Sequence, residues 1–330
     1  MNTPLSVVSI GGGTGLSALL NGLKEYVHPN GDHPLVDITA IVTVTDDGGS
    51  SGRLRREFDV LPPGDIRNCM VALSEDGDML SKLFQYRFQA GQGLKGHSFG
   101  NLFLTALTDI TGDFPEAVQR SAEVLKIAGR IFPSTSANVS LEAVLENGTI
   151  VQGETKISSS RKRIKEIRLN PAKVRPLKAT LDAIANADLI TLGPGSLFTS
   201  VVPNLLVHGI PKAIRQSKAL KAYFVNLMWQ PGETEDFRAS EHVQAILDHA
   251  GANIMDVAVV NTTPIPKAVQ QRYLAQNARP VENDLAAIES LGIQIRKAAL
   301  LQRGPHVRHH SANIAKVALE LAMEGRCRKS

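Results

Sequence analysis

The chain has only two cysteines, Cys69 and Cys327, which lie far apart in its 330 residues. They form no CxxC pair, so neither a disulfide framework nor a thiolate metal site is predicted, which fits a reducing compartment. No apolar run approaches the ~18 residues that cross a membrane, and the first residues lack the basic segment of a signal peptide. We therefore expect a cytoplasmic protein without a membrane partner.

Motifs of several common enzyme classes are also missing. The sequence has no GxxxxGK[ST] loop, no GxSxG elbow and no HExxH helix, which disfavours Walker-type ATPases, serine hydrolases and zinc proteases. The net charge of +4 is weak evidence for nucleic-acid binding. The most basic run, residues 161–178, lacks interleaved aromatic side chains for base stacking. A solvated strand or loop face is the favoured interpretation, and no nucleic-acid partner is expected.

The residues that are present indicate a globular α/β protein, with 43% hydrophobic and 21% charged residues. Short β-rich runs alternate with helical spacing, which favours one doubly wound domain with a parallel sheet. The predicted strands are 5–10, 36–44, 188–192, 222–227 and 255–260.

Two regions depart from this alternation. Helical periodicity predicts an insertion over about 66–130, and an Asn147-Gly148 turn between apolar runs predicts a β-hairpin within about 139–170. No Pro/Gly/Ser-rich linker divides the chain, so we predict a single domain over residues 1–330.

A glycine-rich loop follows the first predicted strand and opens the first helix. It comprises Gly11, Gly12, Gly13, Thr14 and Gly15, and Gly13 to Ala18 match G-x-G-x-x-G/A. Glycines allow a tight turn there, and the free N–H groups of the helix start attract a phosphate. A merely structural tight turn is the alternative.

The second predicted strand ends on a polar segment with two carboxylates, Asp46 and Asp47. They come later than the ribose-binding acid of a dinucleotide fold, which lies ~20 residues after the glycines. The glycines and serines that follow, with Ser50, Ser51 and Arg53, could form an anion nest beside the carboxylates. This mixture suits a metal-bridged or hydroxyl-rich ligand, and a solvated Asp-rich turn is the alternative.

Further candidate ligand-binding residues lie at predicted helix starts and in a later glycine turn. They are Asp65, Arg67, Asn68, His97, Asn101, Gly193, Gly195, Ser196, Thr199 and Asn204. Helix capping and a buried turn are the structural alternatives, since Asp65 and Ser98 are both good N-cap residues. Near the end of the chain, Arg303 and Arg308 are predicted to clamp a phosphate or carboxylate.

Five motifs in this order resemble the YvcK branch of the CofD-like family. They are Gly11–Leu16, Thr45–Arg53, Gly64–Asn68, Gly96–Leu102 and Gly193–Ser200. The resemblance implies a three-layer α/β/α Rossmann-like fold. It also implies a cytoplasmic protein that binds a nucleotide sugar such as UDP-N-acetylglucosamine. Such a protein would support envelope synthesis and cell shape during growth on gluconeogenic carbon sources.

The resemblance also implies roles for individual residues. Gly12, Gly13 and Thr14 would face the diphosphate, and Asn68, Asn101 and Ser196 would line the crevice. Asp46 and Asp47 match the metal or acceptor position of the sister branch, the magnesium-dependent 2-phospho-L-lactate transferases. Arg303 and Arg308 match a C-terminal basic motif that often reads Arg-His-Asp and here reads Arg308-His309-His310.

Two hypotheses follow. In the first, the protein binds a nucleotide sugar as a regulator and turns nothing over, with no cofactor required. In the second, it is a transferase in which Asp46 and Asp47 are catalytic and hold Mg²⁺ against a nucleotide diphosphate donor. NAD-dependent hydride transfer is disfavoured by the misplaced acid. The first hypothesis is favoured because no separate general base is evident. A homo-oligomer and an envelope-synthesis protein partner stay open.

Overall fold

The structure is a computed structural model that describes residues 3–27, 35–74 and 79–329. These residues form ten strands: β1 (Leu5–Gly11), β2 (Val36–Val42), β3 (Arg130–Pro133), β4 (Ser140–Leu145), β5 (Ile150–Gln152), β6 (Ile164–Asn170), β7 (Leu189–Leu192), β8 (Leu220–Phe224), β9 (Val257–Asn261) and β10 (Gln294–Ala298).

Helices cover the sheet and join its strands. They are α1 (Gly13–Leu23), α2 (Gly49–Phe58), α3 (Gly64–Leu73), α4 (Met79–Gln85), α5 (Phe99–Thr111), α6 (Phe114–Leu125), α7 (Glu154–Ser159), α8 (Lys178–Asn186), α9 (Val202–Leu205), α10 (Ile210–Gln216), α11 (Ala239–Ala250), α12 (Lys267–Leu274), α13 (Leu285–Ser290) and α14 (Ser311–Lys329). A 3-10 turn follows α1 at Lys24–Tyr26, and a π-helical turn precedes α9 at Leu197–Val201.

The main sheet has seven parallel strands in the order β10-β9-β8-β7-β1-β2-β3. The chain leaves β1 toward β2 and β3, then returns on the other side of β1 as β7. The loops after β1 and β7 therefore diverge, which opens a crevice at the carboxyl ends of these strands. This sheet with its flanking helices confirms the predicted α/β/α Rossmann-like class.

The helical insertion is confirmed as α3 to α6, and it ends where β3 begins at Arg130. The Ser98 hydroxyl oxygen accepts the backbone N–H of Asn101 at 3.2 Å, so Ser98 is the N-cap of α5 as predicted. Strand β3, at the edge of the sheet, was not predicted because its four residues are too short to show a period.

The predicted hairpin is confirmed as β4 and β5, with the Asn147-Gly148 turn between them. A third strand, β6, pairs antiparallel with β4 and comes from the basic run. In this strand the Arg168 guanidinium pairs with the Glu166 carboxylate at 2.7 Å. The run thus forms a solvated strand face, the favoured interpretation of the sequence.

Residues 49–52 correct one expectation. The sequence predicts an anion nest of glycines and serines, whereas the structure has the first turn of α2 there. Ser50, Ser51, Gly52 and Leu54 are buried in this helix. Burial against the neighbouring helices outweighs the low helix propensity of glycine and serine, and the predicted nest becomes a helix start.

The last helix closes the fold, because α14 packs against α1 and against strands β1, β7 and β8. Its end is fixed by the buried carboxylate of Asp188, which accepts from Arg326 at 2.6 Å and from Lys329 at 2.9 Å. Gly325 lies so close that an added Cβ would sit 2.0 Å from the carbonyl oxygen of Asp188.

Within the described ranges, no single helix is both long and apolar enough to cross a membrane. One bent pair, Leu197–Leu205 with Ile210–Gln216 at 76°, meets those limits only when both members are counted together.

Candidate functional site

A cavity of about 760 Å³ opens at the carboxyl ends of β1, β7 and β8. This volume is typical of small-molecule and cofactor sites. The lining residues come from α1, α3, the loops after β7 and β8, and the segment before α14. They are Gly12, Gly13, Thr14, Gly15, Ser17, Ala18, Asn21, Arg67, Asn68, Val71, Ala72, Gln85, Gly195, Ser196, Ser200, Asn226, Leu227, Met228, Trp229, Gln230, Gln302, Val307, Arg308, His309 and Ser311.

The cavity brings together part of the predicted site. The predicted residues that line it are Gly12, Gly13, Thr14, Gly15, Arg67, Asn68, Gly195, Ser196 and Arg308. Those that lie outside its lining are Gly11, Asp46, Asp47, Ser50, Ser51, Arg53, Asp65, His97, Asn101, Gly193, Thr199, Asn204 and Arg303. Motifs far apart in the sequence therefore meet, although several of their members do not line the cavity.

The glycine loop presents the start of α1 to the cavity. Gly12 occupies the N-cap position without a side-chain hydrogen bond, so the first N–H groups of α1 are not capped by its side chain. Gly15 lies against the later glycine turn, where an added Cβ would be 2.6 Å from the carbonyl oxygen of Pro194. The absence of a side chain at this position is what allows the two loops to meet.

Asp65 lies directly beneath the glycine loop. Its carboxylate accepts the backbone N–H of Gly13, and an added Cβ on Gly12 would be 2.5 Å from its Oδ2. Burial, reinforced by the nearby negative charge of Asp46, raises the pKa of Asp65 to about 7. The N–H group of Gly13 is thus already bonded, and those of Thr14 and Gly15 are the ones left for a bound anion.

The two adjacent aspartates have different partners. Asp46 Oδ1 accepts the backbone N–H of Gly48 at 2.8 Å. Asp47 Oδ1 instead accepts the N–H and the hydroxyl of Thr155, at 2.9 and 2.7 Å, and so holds the start of α7. Glu154 lies nearby, and burial and repulsion by Asp46 raise its pKa to about 9. Among the described residues, no group of three or more His, Cys, Asp or Glu side chains is arranged to hold a metal ion.

Two arginines line the cavity, Arg67 from α3 and Arg308 from the segment before α14. Arg67 donates to Asn68 Oδ1 at 2.5 Å, which leaves the Asn68 amide N–H groups to donate elsewhere. Burial, with the positive charge of Arg87 nearby, lowers the pKa of the Arg67 guanidinium. Arg308 reaches the lining from the segment before α14, whereas Arg303 in the same segment is exposed and does not.

Residues of the second and fourth motifs hold α2 against α5 behind the cavity. Ser50 Oγ and His97 Nδ1 are 2.9 Å apart, and Asn101 Nδ2 donates to Ser51 Oγ at 3.4 Å. Burial lowers the pKa of His97, as does the charge of Arg53. The neutral imidazole and its serine are both buried, so they fix the position of the helices.

Residues of the fifth motif support the loop after β7. Asn204 Nδ2 donates to the carbonyl oxygens of Gly11 and Ser200, at 3.2 and 2.7 Å. The Gly193 N–H donates to a carbonyl of β1, and the Thr199 hydroxyl donates to Glu233 Oε1 at 3.2 Å.

The carboxyl group of Glu233 is enclosed by this loop and α7. The residue is 6% exposed, and its Oε2 has no hydrogen-bond partner among the described residues. Burial raises the pKa of Glu233 to about 7.

The segment Asn226–Gln230 after β8 belongs to the cavity but was missed by the sequence reasoning. It carries no glycine motif. The only available signal was its place at the end of a predicted strand, beside two strands whose ends carry glycine turns. His309, also missed as a lining residue, has its pKa lowered to about 4 by burial and is therefore neutral.

The chain is similar to known proteins over most of its length. The family model of 2-phospho-L-lactate transferase CofD matches residues 7–301. A protein called gluconeogenesis factor from Halalkalibacterium halodurans is 47% identical over 316 residues, 96% of each chain. The Bacillus subtilis protein of that name is 44% identical over 319 residues, covering 96% of this chain and 98% of its own.

A solved structure extends the likeness to three dimensions. A crystal structure of a upf0052 family protein from Bacillus halodurans is 46% identical, with a TM-score of 0.91. The match covers 96% of this chain and 100% of that one. Because the family model spans most of the chain and these relatives match nearly all of it, the chain belongs to the CofD family, in the branch whose curated members are called gluconeogenesis factors.

Proposed function

We propose that this protein binds a nucleotide sugar of the UDP-N-acetylglucosamine type in the cavity and acts as a cytoplasmic gluconeogenesis factor. In this role it supports envelope synthesis and cell shape during growth on gluconeogenic carbon sources. The observation that carries the proposal is the polarity of the cavity. Its lining combines the start of α1 and two arginines with apolar and amide side chains.

The start of α1 and the two arginines suit a diphosphate. The N–H groups of Thr14 and Gly15 lie at the positive end of the α1 helix dipole and are left for a bound anion. Arg67 and Arg308 add guanidinium groups, which bind phosphate oxygens in a bidentate manner. The Asn68 amide and the Ser196 hydroxyl add polar groups that suit a sugar or a phosphate.

Binding without turnover is favoured by what the aspartates do. Asp47 is bonded to Thr155 at the start of α7, and Asp46 accepts a local backbone N–H. Neither aspartate is among the lining residues of the cavity. The lining residue His309 is neutral, and because burial lowers its pKa to about 4 it would be a weak general base for a bound acceptor.

Isothermal titration calorimetry tests the proposal. UDP-N-acetylglucosamine, UDP-glucose, GDP and NADH are titrated into the protein, each with and without Mg²⁺. We expect binding of UDP-sugars without Mg²⁺, weakened about tenfold or more in Arg308→Ala and unchanged in Arg303→Ala. Binding of NADH alone, or equal effects of the two arginine variants, would refute it.

A magnesium-dependent transferase is the second candidate, favoured by the carboxyl groups that repel one another behind the glycine loop. The negative charge of Asp46 contributes to the raised pKa of Asp65, and the charges of Asp46 and Asp65 contribute to the raised pKa of Glu154. Carboxylate oxygens are the ligands that Mg²⁺ prefers. Because Asp47 is bonded to Thr155, Asp46 and Asp65 would hold the ion in place of the predicted pair Asp46 and Asp47. The ion would neutralise charge on a nucleotide diphosphate donor. Binding of GDP only in the presence of Mg²⁺ in the same titrations would favour this candidate.

A further inference from the structure

The segment after β8 forms a wall of the cavity with an apolar stretch at its centre. Leu227 and Met228 are each 8% exposed, and Trp229 lies beside them in the lining. The indole Nε1 donates to the carbonyl oxygen of Phe237 at 3.1 Å, and the Arg279 guanidinium lies 5.7 Å from the ring centroid. Such a surface suits the flat ring of a nucleotide base.

Two amide side chains of this wall, Asn226 and Gln230, form a hydrogen-bonded chain of fixed polarity with Ser196 in the loop after β7. The backbone N–H of Leu197 can only donate, and it donates to Gln230 Oε1 at 3.2 Å. Asn226 Nδ2 donates to the same oxygen at 2.9 Å. Gln230 Nε2 must then face the other way, where it lies 2.5 Å from Ser196 Oγ. One backbone group thus sets the orientation of both amides.

This polarity determines what each end offers to a ligand. Asn226 presents Oδ1, an enclosed acceptor without a partner among the described residues. Ser196 already accepts from Gln230, so its own proton is free to donate. Ser196 also lies next to the glycine loop, since an added Cβ on Gly195 would be 3.2 Å from the carbonyl oxygen of Gly12.

We propose that Asn226 selects the base of the bound nucleotide by accepting the ring N3–H of uracil at its Oδ1, while Ser196 donates to a phosphate oxygen. This inference rests on the proposed function. Cytosine carries a lone pair at the same ring nitrogen, so two acceptors would face each other and neither would be paired. An unpaired buried polar group costs enough free energy to discriminate between otherwise similar ligands.

Titration calorimetry with UDP and CDP measures this selection. We expect the wild-type protein to bind UDP at least about tenfold more tightly than CDP. Asn226→Ala should remove this preference, mainly by weakening UDP. Asn21→Ala, which alters a lining amide on α1, should change both affinities by the same factor. If Asn226→Ala lowers the thermal midpoint, Asn226→Leu keeps the size of the side chain without its oxygen and serves the same comparison.

Gln230→Glu tests the polarity of the chain. A carboxylate at this position can still accept from Leu197 and Asn226, but it would also accept the Ser196 proton and turn it away from the ligand. We expect UDP and CDP to weaken together while their ratio persists.

The outcomes separate this inference from the proposed function. If wild-type protein binds neither nucleotide, the proposed function fails. If it prefers UDP and Asn226→Ala retains that preference, or Asn21→Ala abolishes it, only the assignment of Asn226 is overturned.

Discussion

Replacing Glu233 by glutamine should make the protein more stable than wild type at pH 8 and leave it nearly unchanged at pH 5. The carboxyl group is 6% exposed, and its pKa is raised to about 7 from an ordinary value of 4.5. The folded state therefore favours the protonated form. The stability that this preference contributes is complete below the unfolded pKa and is lost as pH rises through 7.

The magnitude follows from the interval between the two pKa values. At about 1.4 kcal/mol per pH unit, ionising Glu233 inside the folded protein costs roughly 3 kcal/mol at pH 8 and less than about 1 kcal/mol at pH 5. Glutamine keeps the Oε1 that accepts from Thr199 and Ser158, and it carries no charge. The variant should therefore lack most of this pH dependence.

Urea unfolding at pH 5, 6, 7 and 8 measures the effect, with the fluorescence of Trp229, the only tryptophan, as the probe. Glu289→Gln makes the same chemical change at an exposed position and serves as the control. The reasoning would be refuted by a Glu233→Gln variant that is less stable than wild type at pH 8. That result would mean that the ionised carboxylate is stabilised in the folded protein.

Three further predictions concern nucleotide binding. Gly12→Ala should weaken UDP-N-acetylglucosamine binding at least about tenfold and lower the free energy of unfolding by ~1–3 kcal/mol, because the added Cβ would displace Asp65. Calorimetry measures the first effect and urea unfolding the second. If binding needs no metal, Asp47→Asn should keep the affinity for UDP-N-acetylglucosamine within about tenfold, or 1.4 kcal/mol, of the wild-type value. A complete loss of this binding would count against the regulator hypothesis. A higher salt concentration should weaken the binding of UDP-N-acetylglucosamine more in the wild-type protein than in Arg308→Ala. The Arg303→Ala variant should show the salt dependence of the wild type.

The sequence was most informative where a strong local signal coincides with an element boundary. The strand-glycine-helix pattern at Gly11–Gly15 predicted both β1 with α1 and a wall of the cavity. The Asn147-Gly148 turn predicted the hairpin for the same reason. Both predictions succeed because a tight turn needs particular residue types at a few adjacent positions.

The remaining features depend on contacts between distant residues. Asp47 is bonded to Thr155, 108 residues away, and no local pattern indicates this pairing. Asn226 enters the cavity only because β8 lies beside β7 in the sheet. Helix α2 forms from residues of low helix propensity because tertiary burial stabilises it. Such features follow from the assembled fold and not from spacing along the chain.

The position of α14 has a consequence for the protein during its synthesis. The glycine loop leaves the ribosome before Arg308 and the start of α14, which follow about 290 residues later. At roughly 5–20 residues per second, the nascent chain carries an incomplete cavity for roughly 15 to 60 seconds. Nucleotide cannot assist the early half of the chain to fold, and binding competence arises only when the completed helix docks between α1 and the sheet.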